Sequence, residues 1–174
     1  DLYAKEDIQK IVDYDFALLT REVENPQIFG VVEESSGLAT AFVEKPEHPK
    51  TNLANIGCYK FTTEVFNYTL EKSARGEYEV VDYITHLIND GKPVHVERAE
   101  EYWLPVGYPW DVLRAQEHLL SDQLHYIDPT ADIHPEAFIE GPCVIGKGVK
   151  IHKDAHISHS VVNDNCEVGE CARV

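Results

Sequence analysis

The stretch 127–174, IDPTADIHPEAFIEGPCVIGKGVKIHKDAHISHSVVNDNCEVGECARV, repeats an aliphatic residue every sixth position. Ile127, Ile133, Ile139, Ile145, Ile151 and Ile157 recur without a miss. A small or slim residue sits four places after each: Ala131, Ala137, Cys143, Val149, Ala155 and Val161. A one-residue slip then resumes the series as Val162, Val168 and Val174, with Cys166 and Ala172 in the companion slots. Neither the strand nor the helical period explains this spacing; a hexapeptide repeat does. It predicts a triangular, left-handed parallel β-helix. Each unit supplies one face, and three units close a coil of about eighteen residues. The aliphatic row points inward and stacks coil on coil, while the small residue lets the chain turn the corner. Cys143 and Cys166 are therefore expected inside as packing residues. The run amounts to roughly two and a half coils and leaves an open edge on the last one, with self-association through the β-helix as the expected result.

Working outward, residues 1–123 follow a different pattern and form a first domain, with 124–174 as the second. Apolar runs at 16–20, 29–33, 93–96 and 102–106 read as strands, and Ser35-Ser36-Gly37 as a hairpin turn. Helical spacing covers 6–13, 63–72 and 82–89, with Thr62 or Thr63 as a cap and Gly91 as a stop. Pro109 opens a last helix through Leu120. Helices alternating with strands make this region α/β.

Within it, the stretch 42–59, FVEKPEHPKTNLANIGCY, gathers the residues best suited to chemistry. A strand delivers Glu44 and Lys45 to its end, where Pro46 stops the ladder and biases Lys45 toward an extended backbone. A polar loop follows, and a second apolar run carries Asn55 and Gly57. A carboxylate accepts from sugar hydroxyls, an ammonium is a point charge for phosphate, and a glycine admits close backbone approach. The competing reading is an exposed ion pair followed by a loop.

Hydrophobic content of 43% and charged content of 26% are those of a folded soluble protein. A formal charge of −16 argues against nucleic acid or an anionic membrane as partner. No run approaches a membrane span and no signal peptide opens the chain. The chain has no methionine and begins at Asp1, so its natural start is expected upstream. Cys58, Cys143, Cys166 and Cys171 show no CxxC spacing, which suits reduced thiols in a cytoplasmic protein. His134 and His152 should stack one coil apart; a metal or an acyl-transfer base is one reading, a solvated corner histidine the other. His156 and His159 add no recognisable ligand spacing.

Taken together, FGVVE (29–33), GLATAFVEKP (37–46), NLANIGCY (52–59), GEYEVVDYI (76–84), YWLPVGYPWDVLRA (102–115) and the isoleucine hexapeptides resemble the sugar-phosphate nucleotidylyltransferases, or nucleotide-sugar pyrophosphorylases. The resemblance is to the microbial kind with a β-helix C-terminal domain. It implies part of a Rossmann-like nucleotidyltransferase sheet and an in-line attack of a sugar 1-phosphate on the α-phosphate of an NTP. The products are NDP-sugar and pyrophosphate, with Mg²⁺ neutralising the phosphates. By resemblance, Gly30 packs against the sugar nucleotide, Glu44 accepts from sugar hydroxyls, and Lys45 contacts the sugar phosphate as the catalytic lysine. Asn55, Gly57 and Tyr59 then line the sugar pocket. Asp1 stands for the family's first metal aspartate.

Two departures accompany the match. The N-terminal half of the family's catalytic domain, with its glycine-rich phosphate loop, has no counterpart here. Pro105 also stands where the second metal aspartate is usual, and proline offers Mg²⁺ no side-chain ligand. Asp111 is a replacement candidate, although complementing a helix N-terminus is a competing job for it. The carboxylates of Arg75-Gly76-Glu77-Tyr78-Glu79 read as caps and surface charge. Three functions stay open: an NDP-sugar-forming enzyme inactive without its other half, a non-catalytic sugar-nucleotide-binding or oligomerisation module, and a bifunctional enzyme with an acyltransferase β-helix.

Overall fold

The computed structural model describes residues 1–73, 76–121 and 123–174, so Arg75 lies outside the described residues. These fall into two compact units, Tyr3–Trp103 on one hand and Asp1–Leu2 with Leu104–Val174 on the other. The structural division comes before the change in sequence pattern near residue 123, because the last helix is grouped with the repeat region. In chain order the first part holds β1 (Leu2–Tyr3), α1 (Lys5–Gln9), β2 (Ala17–Glu22), β3 (Gly30–Ser35), β4 (Leu38–Glu44), β5 (Leu53–Lys60), α2 (Asp82–Asn89), β6 (His95–Arg98) and β7 (Trp103–Leu104).

In the unit Tyr3–Trp103, β2 is covered on both faces: Ala17, Leu18, Leu19 and Thr20 are all fully buried. Leu18 joins Phe16, Val32, Val96 and the α2 residues Ile84 and Leu87 in one core. Ala17 and Leu19 join Ile11, Ile56 and Ala99 in a second. A strand buried on both faces has to be an unbroken apolar run, which is how it reads in the sequence. β5 pairs antiparallel with one edge of β2 and β6 pairs parallel with the other.

The ring order is β2-β5-β3-β4-β6, and it closes. Where the resemblance implies part of a Rossmann-like sheet, this part of the α/β unit is made mostly of strands, and five of them close on themselves. The physical link is His95, which lies opposite Ala17 of β2 and also opposite Leu38 of β4. Ser36 and Gly37, at φ 51° and 78°, make the two-residue turn between β3 and β4, where both central positions need positive φ.

Two helices are shorter than their spacing suggests. Only a 3₁₀ turn, Thr63–Asn67, forms within 63–72, without a side-chain cap on Thr62. Tyr68 leaves that turn extended, stacks on His86 and donates its hydroxyl to Asp90, so tertiary contacts override a weak helical tendency. α1 ends at Gln9. By contrast α2 occupies the expected residues, and Gly91 follows it at φ 69°.

Asp7, 1% exposed, fastens α1 to the segment after β6. Its two carboxylate oxygens accept from the backbone N–H groups of Glu100 and Glu101, each at 3.0 Å, and Lys10 Nζ lies 3.0 Å from Oδ1. Burial alone would raise its pKa, yet the two amides and Lys10 outweigh burial and hold it below the usual value.

The unit containing Leu104–Val174 holds α3 (Pro109–Leu120), β8 (His125–Ile127), β9 (Asp132–Ile133), β10 (Phe138–Glu140), β11 (Cys143–Ile145), β12 (Lys150–Ile151), β13 (His156–Ser158), β14 (Val161–Val162) and β15 (Glu167–Val168). The last eight make three parallel ladders: β8-β11-β14, β9-β12-β15 and β10-β13. Partners lie eighteen residues apart early on, as in His125 with Cys143 and Ile139 with Ile157, and seventeen later, as in Ile145 with Val162. The chain is thus a three-faced coil of parallel strands. Ile145, Ile151 and Ile157 are at most 3% exposed in its middle, against 40% for Ile127 and 53% for Val174 at the ends of the stack.

Two slot assignments need correction. Val144 pairs with Val161 but Glu140 pairs with Ser158, so the slip falls between Ser158 and Val161, and Val161 takes an outward position. Cys143 is buried as expected, whereas Cys166, on the last of the stacked coils, is exposed. No helix among the described residues is long and apolar enough to cross a membrane.

Asp7→Asn would present an amide N–H₂ to a backbone donor inside a closed pocket, and we expect it to cost on the order of 3 kcal/mol in a denaturant titration. In the wild type, the folded-state pKa of Asp7 lies below the ordinary 3.8. Its stabilisation is complete above that value and disappears as pH falls through the depressed one. The acid-side slope of stability against pH should therefore flatten in Asp7→Asn.

Candidate functional site

The candidate residues of the unit Tyr3–Trp103 gather where β3, β4 and β5 adjoin. Gly30 opens β3 directly opposite Glu44, the last residue of β4. A Cβ on Gly30 would lie 2.3 Å from Phe42 Cζ and 2.8 Å from Glu44 Oε2. The space a side chain would need is already filled by this protein's own ring and carboxylate. Phe42 and Glu44 stand on the same face of β4, two residues apart, and only glycine across from them lets both fold inward.

Lys45 follows with φ 45°, in the left-handed region rather than the extended conformation expected before Pro46. Its N–H still donates to the Phe29 carbonyl at 3.0 Å, so the ladder ends there and the chain turns sharply off it. For a residue with a Cβ, this conformation costs roughly 1–2 kcal/mol. Lys45 Nζ is 4.0 Å from Glu44 Oε1, a loose pair with the lysine half exposed. An ion pair this open contributes little to stability.

β5 carries a bulge. Leu18 pairs with Tyr59 while Thr20 pairs with Asn55, so Ile56, Gly57 and Cys58 together oppose Leu19. Gly57 sits at φ 79° and donates its N–H to Asn55 Oδ1 at 3.1 Å. Asn55 Nδ2 in turn donates to Tyr59 Oη at 2.7 Å. Residues four apart on a regular strand are separated by roughly 13 Å, so the bulge is what brings these two side chains together. Tyr3 secures it from outside, donating its hydroxyl to the Ile56 carbonyl at 2.6 Å.

Burial first, then the neighbouring Cys58 and Tyr59, push the Tyr3 phenol up to about 12. Tyr59 is likewise raised, by burial first; the hydrogen bond from Asn55 opposes this and the Glu44 charge adds to it. Burial raises the Cys58 thiol as well. At neutral pH the cluster thus holds protonated phenols and a thiol beside one carboxylate. It can donate to and accept from hydroxyls.

Asp1 and Asp111 belong to the other unit, where both serve one backbone segment. Asp1 Oδ1 accepts from Val106 N–H at 2.9 Å. Asp111 Oδ2 accepts from Gly107 and Tyr108 N–H at 3.1 and 2.9 Å, capping α3. Asp111 is 9% exposed, and its other oxygen lies 3.7 Å from Arg114. These residues do not fit a divalent-cation site. Asp111 is occupied as a helix cap, Pro105 offers no side-chain ligand, and Asp1 Oδ1 is engaged by the Val106 N–H. His134 and His152 lie one coil apart but engage different partners: the Glu136 N–H at 3.1 Å and Glu167 Oε1 at 2.6 Å.

A nucleotidyl transferase family model matches residues 3–122. The chain belongs to that family. It is similar to the bifunctional protein GlmU of Methanocaldococcus jannaschii, 38% identical over 152 residues that cover 85% of this chain and 36% of that protein. A glucose-1-phosphate thymidylyltransferase of Streptomyces antibioticus is 33% identical over 170 residues, covering 87% and 48%. Among solved structures, one described as a glucose-1-phosphate thymidylyltransferase from Bacillus anthracis, in complex with sucrose, superposes with a TM-score of 0.52 at 28% identity. It covers 67% of this chain and 47% of that one. The chain therefore spans about a third to a half of the length of these relatives.

Of the residues that sequence reasoning named, Gly30 lies opposite Glu44, Lys45 follows Glu44, and Asn55 is hydrogen-bonded to both Gly57 and Tyr59. That reasoning missed Phe42 and Tyr3. Phe42 was visible as the residue two before Glu44, hence on its face; Tyr3 had no local signal, since its bond to Ile56 spans 53 positions.

Gly30→Ala tests the packing. The added methyl has to displace the Phe42 ring or the Glu44 carboxylate, at about 1–3 kcal/mol. We expect a lowered melting temperature, with chemical-shift changes concentrated at Phe42 and Glu44. An unchanged spectrum would mean that the ring swings aside freely.

Proposed function

We propose that the chain is the sugar-phosphate-binding part of a sugar-1-phosphate nucleotidylyltransferase, which converts NTP and sugar 1-phosphate to NDP-sugar and pyrophosphate. Membership of the nucleotidyl transferase family supports the reaction class. The observation that carries the pocket is Glu44 set opposite Gly30 beside the Asn55–Tyr59 pair. In this reading Glu44 accepts from sugar hydroxyls and Tyr59, already accepting from Asn55, donates its own proton to another. Gly57 and Gly30 keep the backbone and the carboxylate in place. Lys45, the proposed catalytic lysine, offsets charge on the sugar phosphate as its oxygen attacks the α-phosphate in line and pyrophosphate leaves. Mg²⁺ is part of the proposed reaction, but no step is assigned to it, since the residues here do not assemble its site.

The C-terminal coil we read as the start of a left-handed parallel β-helix, with 1–123 as the catalytic-domain portion and 124–174 as the helix portion. Stacking of ladder partners eighteen residues apart supports it. A second reading, in which the β-helix carries an acyltransferase, draws on one relative's name: the bifunctional sugar-1-phosphate nucleotidylyltransferase/acetyltransferase of Sulfurisphaera tokodaii, 32% identical over 145 residues. A cytoplasmic homo-oligomer joined through the β-helix completes the proposal.

Calorimetry with an NDP-sugar should show Glu44→Ala and Lys45→Ala each weakening binding by about tenfold to a hundredfold while the fold is kept, the loss of one charge-assisted hydrogen bond. Unchanged affinity in both variants would place the ligand elsewhere.

Titrating Mg²⁺ into the chain without ligand should give no saturable site at low millimolar concentration, because substrate phosphates are needed to complete the coordination shell. A tight site would show that another carboxylate has taken over.

A further inference from the structure

Within the unit Leu104–Val174, one side of α3 faces one side of the coil across an apolar cleft of about 560 Å³. Its coil wall is built from Tyr126, Val144 and Val161, which are ladder partners on β8, β11 and β14 and so stand in one outward row. Its helix wall presents Val112, Gln116 and Leu119, on one face of α3 by their spacing. Among the described residues, no lining side chain carries a charge. Small-molecule sites typically measure roughly 300–1,000 Å³ and pair an apolar lining with few polar groups.

Gln116 is the exceptional residue. It is 6% exposed, lines the cleft, and neither Nε2 nor Oε1 has a hydrogen-bond partner among the described residues. Buried amides are almost always paired, so an orphaned donor and acceptor on one side chain point to a missing counterpart. A carboxamide offers N–H and C=O in one plane, and its natural complement is another amide group. Among the described residues the lining holds no lysine, arginine or histidine to offset a phosphate, whereas the Glu44 pocket has Lys45. Leu119, Tyr126 and Val112, at 66%, 50% and 44% exposed, extend the apolar surface outward from the mouth.

We propose that this cleft binds an uncharged, mainly apolar small molecule through one amide group that pairs with the Gln116 side chain.

The test uses N-benzylacetamide as probe, titrated into the isotope-labelled chain and followed by NMR. Saturable shifts are expected at the Gln116 side-chain amide and at Val112, Val144 and Val161. Gln116→Leu, close in shape and without the amide, should weaken binding about tenfold or more. Should that variant fold poorly, Val161→Glu, at a partly buried position on the coil surface, brings a carboxylate into the wall and should abolish binding. Benzylphosphonate, the charged counterpart, should not bind. The proposal is overturned by non-saturable shifts, by equal affinity in a folded Gln116→Leu, or by equal binding of benzylphosphonate. It is also overturned if sedimentation shows a concentration-dependent dimer that Leu119→Glu dissolves, for then a second copy fills the cleft.

Discussion

Strand β2 is the fixed reference of the unit Tyr3–Trp103. It is buried on both faces and paired along both edges, and the hydroxyl of its one polar buried residue, Thr20, donates to the Glu97 carbonyl at 2.9 Å. Such a strand cannot shift to accommodate a longer neighbour. When β5 carries extra residues opposite Leu19, the excess has to leave the ladder on the β5 side. The positive φ of Gly57 follows from that constraint, and with it the approach of Asn55 to Tyr59. Site geometry here is a by-product of core rigidity.

The same unit shows why residue type was easier to read than conformation. The carboxylate, ammonium and amide of 44, 45 and 55 are chemical facts of the sequence, and their clustering near strand ends followed from alternation. Closure of the sheet did not, because it rests on His95 reaching two strands at once, a coincidence of long-range register with no periodic trace. Lys45 illustrates the point at one residue. Local rules place a residue before proline in an extended backbone, but the turn off the ladder at Phe29 imposes φ 45° instead. Gly30 was named through the family resemblance alone, as a glycine packed against the sugar nucleotide. That Phe42 and Glu44 occupy the space beside it required coordinates.

In the repeat region legibility was high because one row of side chains answers to one constraint. Inward residues must stack on their copies, so the aliphatic series declares itself, and the buried trio Ile145, Ile151 and Ile157 matches it. The misplaced slip arose because valine suits inward and outward positions alike, and Val161 offered no contrast to Val162. Burial of Gln116 was invisible for the opposite reason: a polar residue on a helix reads as a solvent-facing one.

The change from eighteen-residue to seventeen-residue pairing takes place wholly between Ser158 and Val161, around His159 at φ 47°. Ladders on either side keep their partners, and Val162 and Val168 still bury their side chains. Register in this coil is therefore enforced face by face and not by counting along the chain. Corners are lengths of polypeptide that the stack does not measure. Homologous coils can gain or lose residues there without disturbing the interior, and a peptide inserted at such a corner would be displayed on an unaltered scaffold.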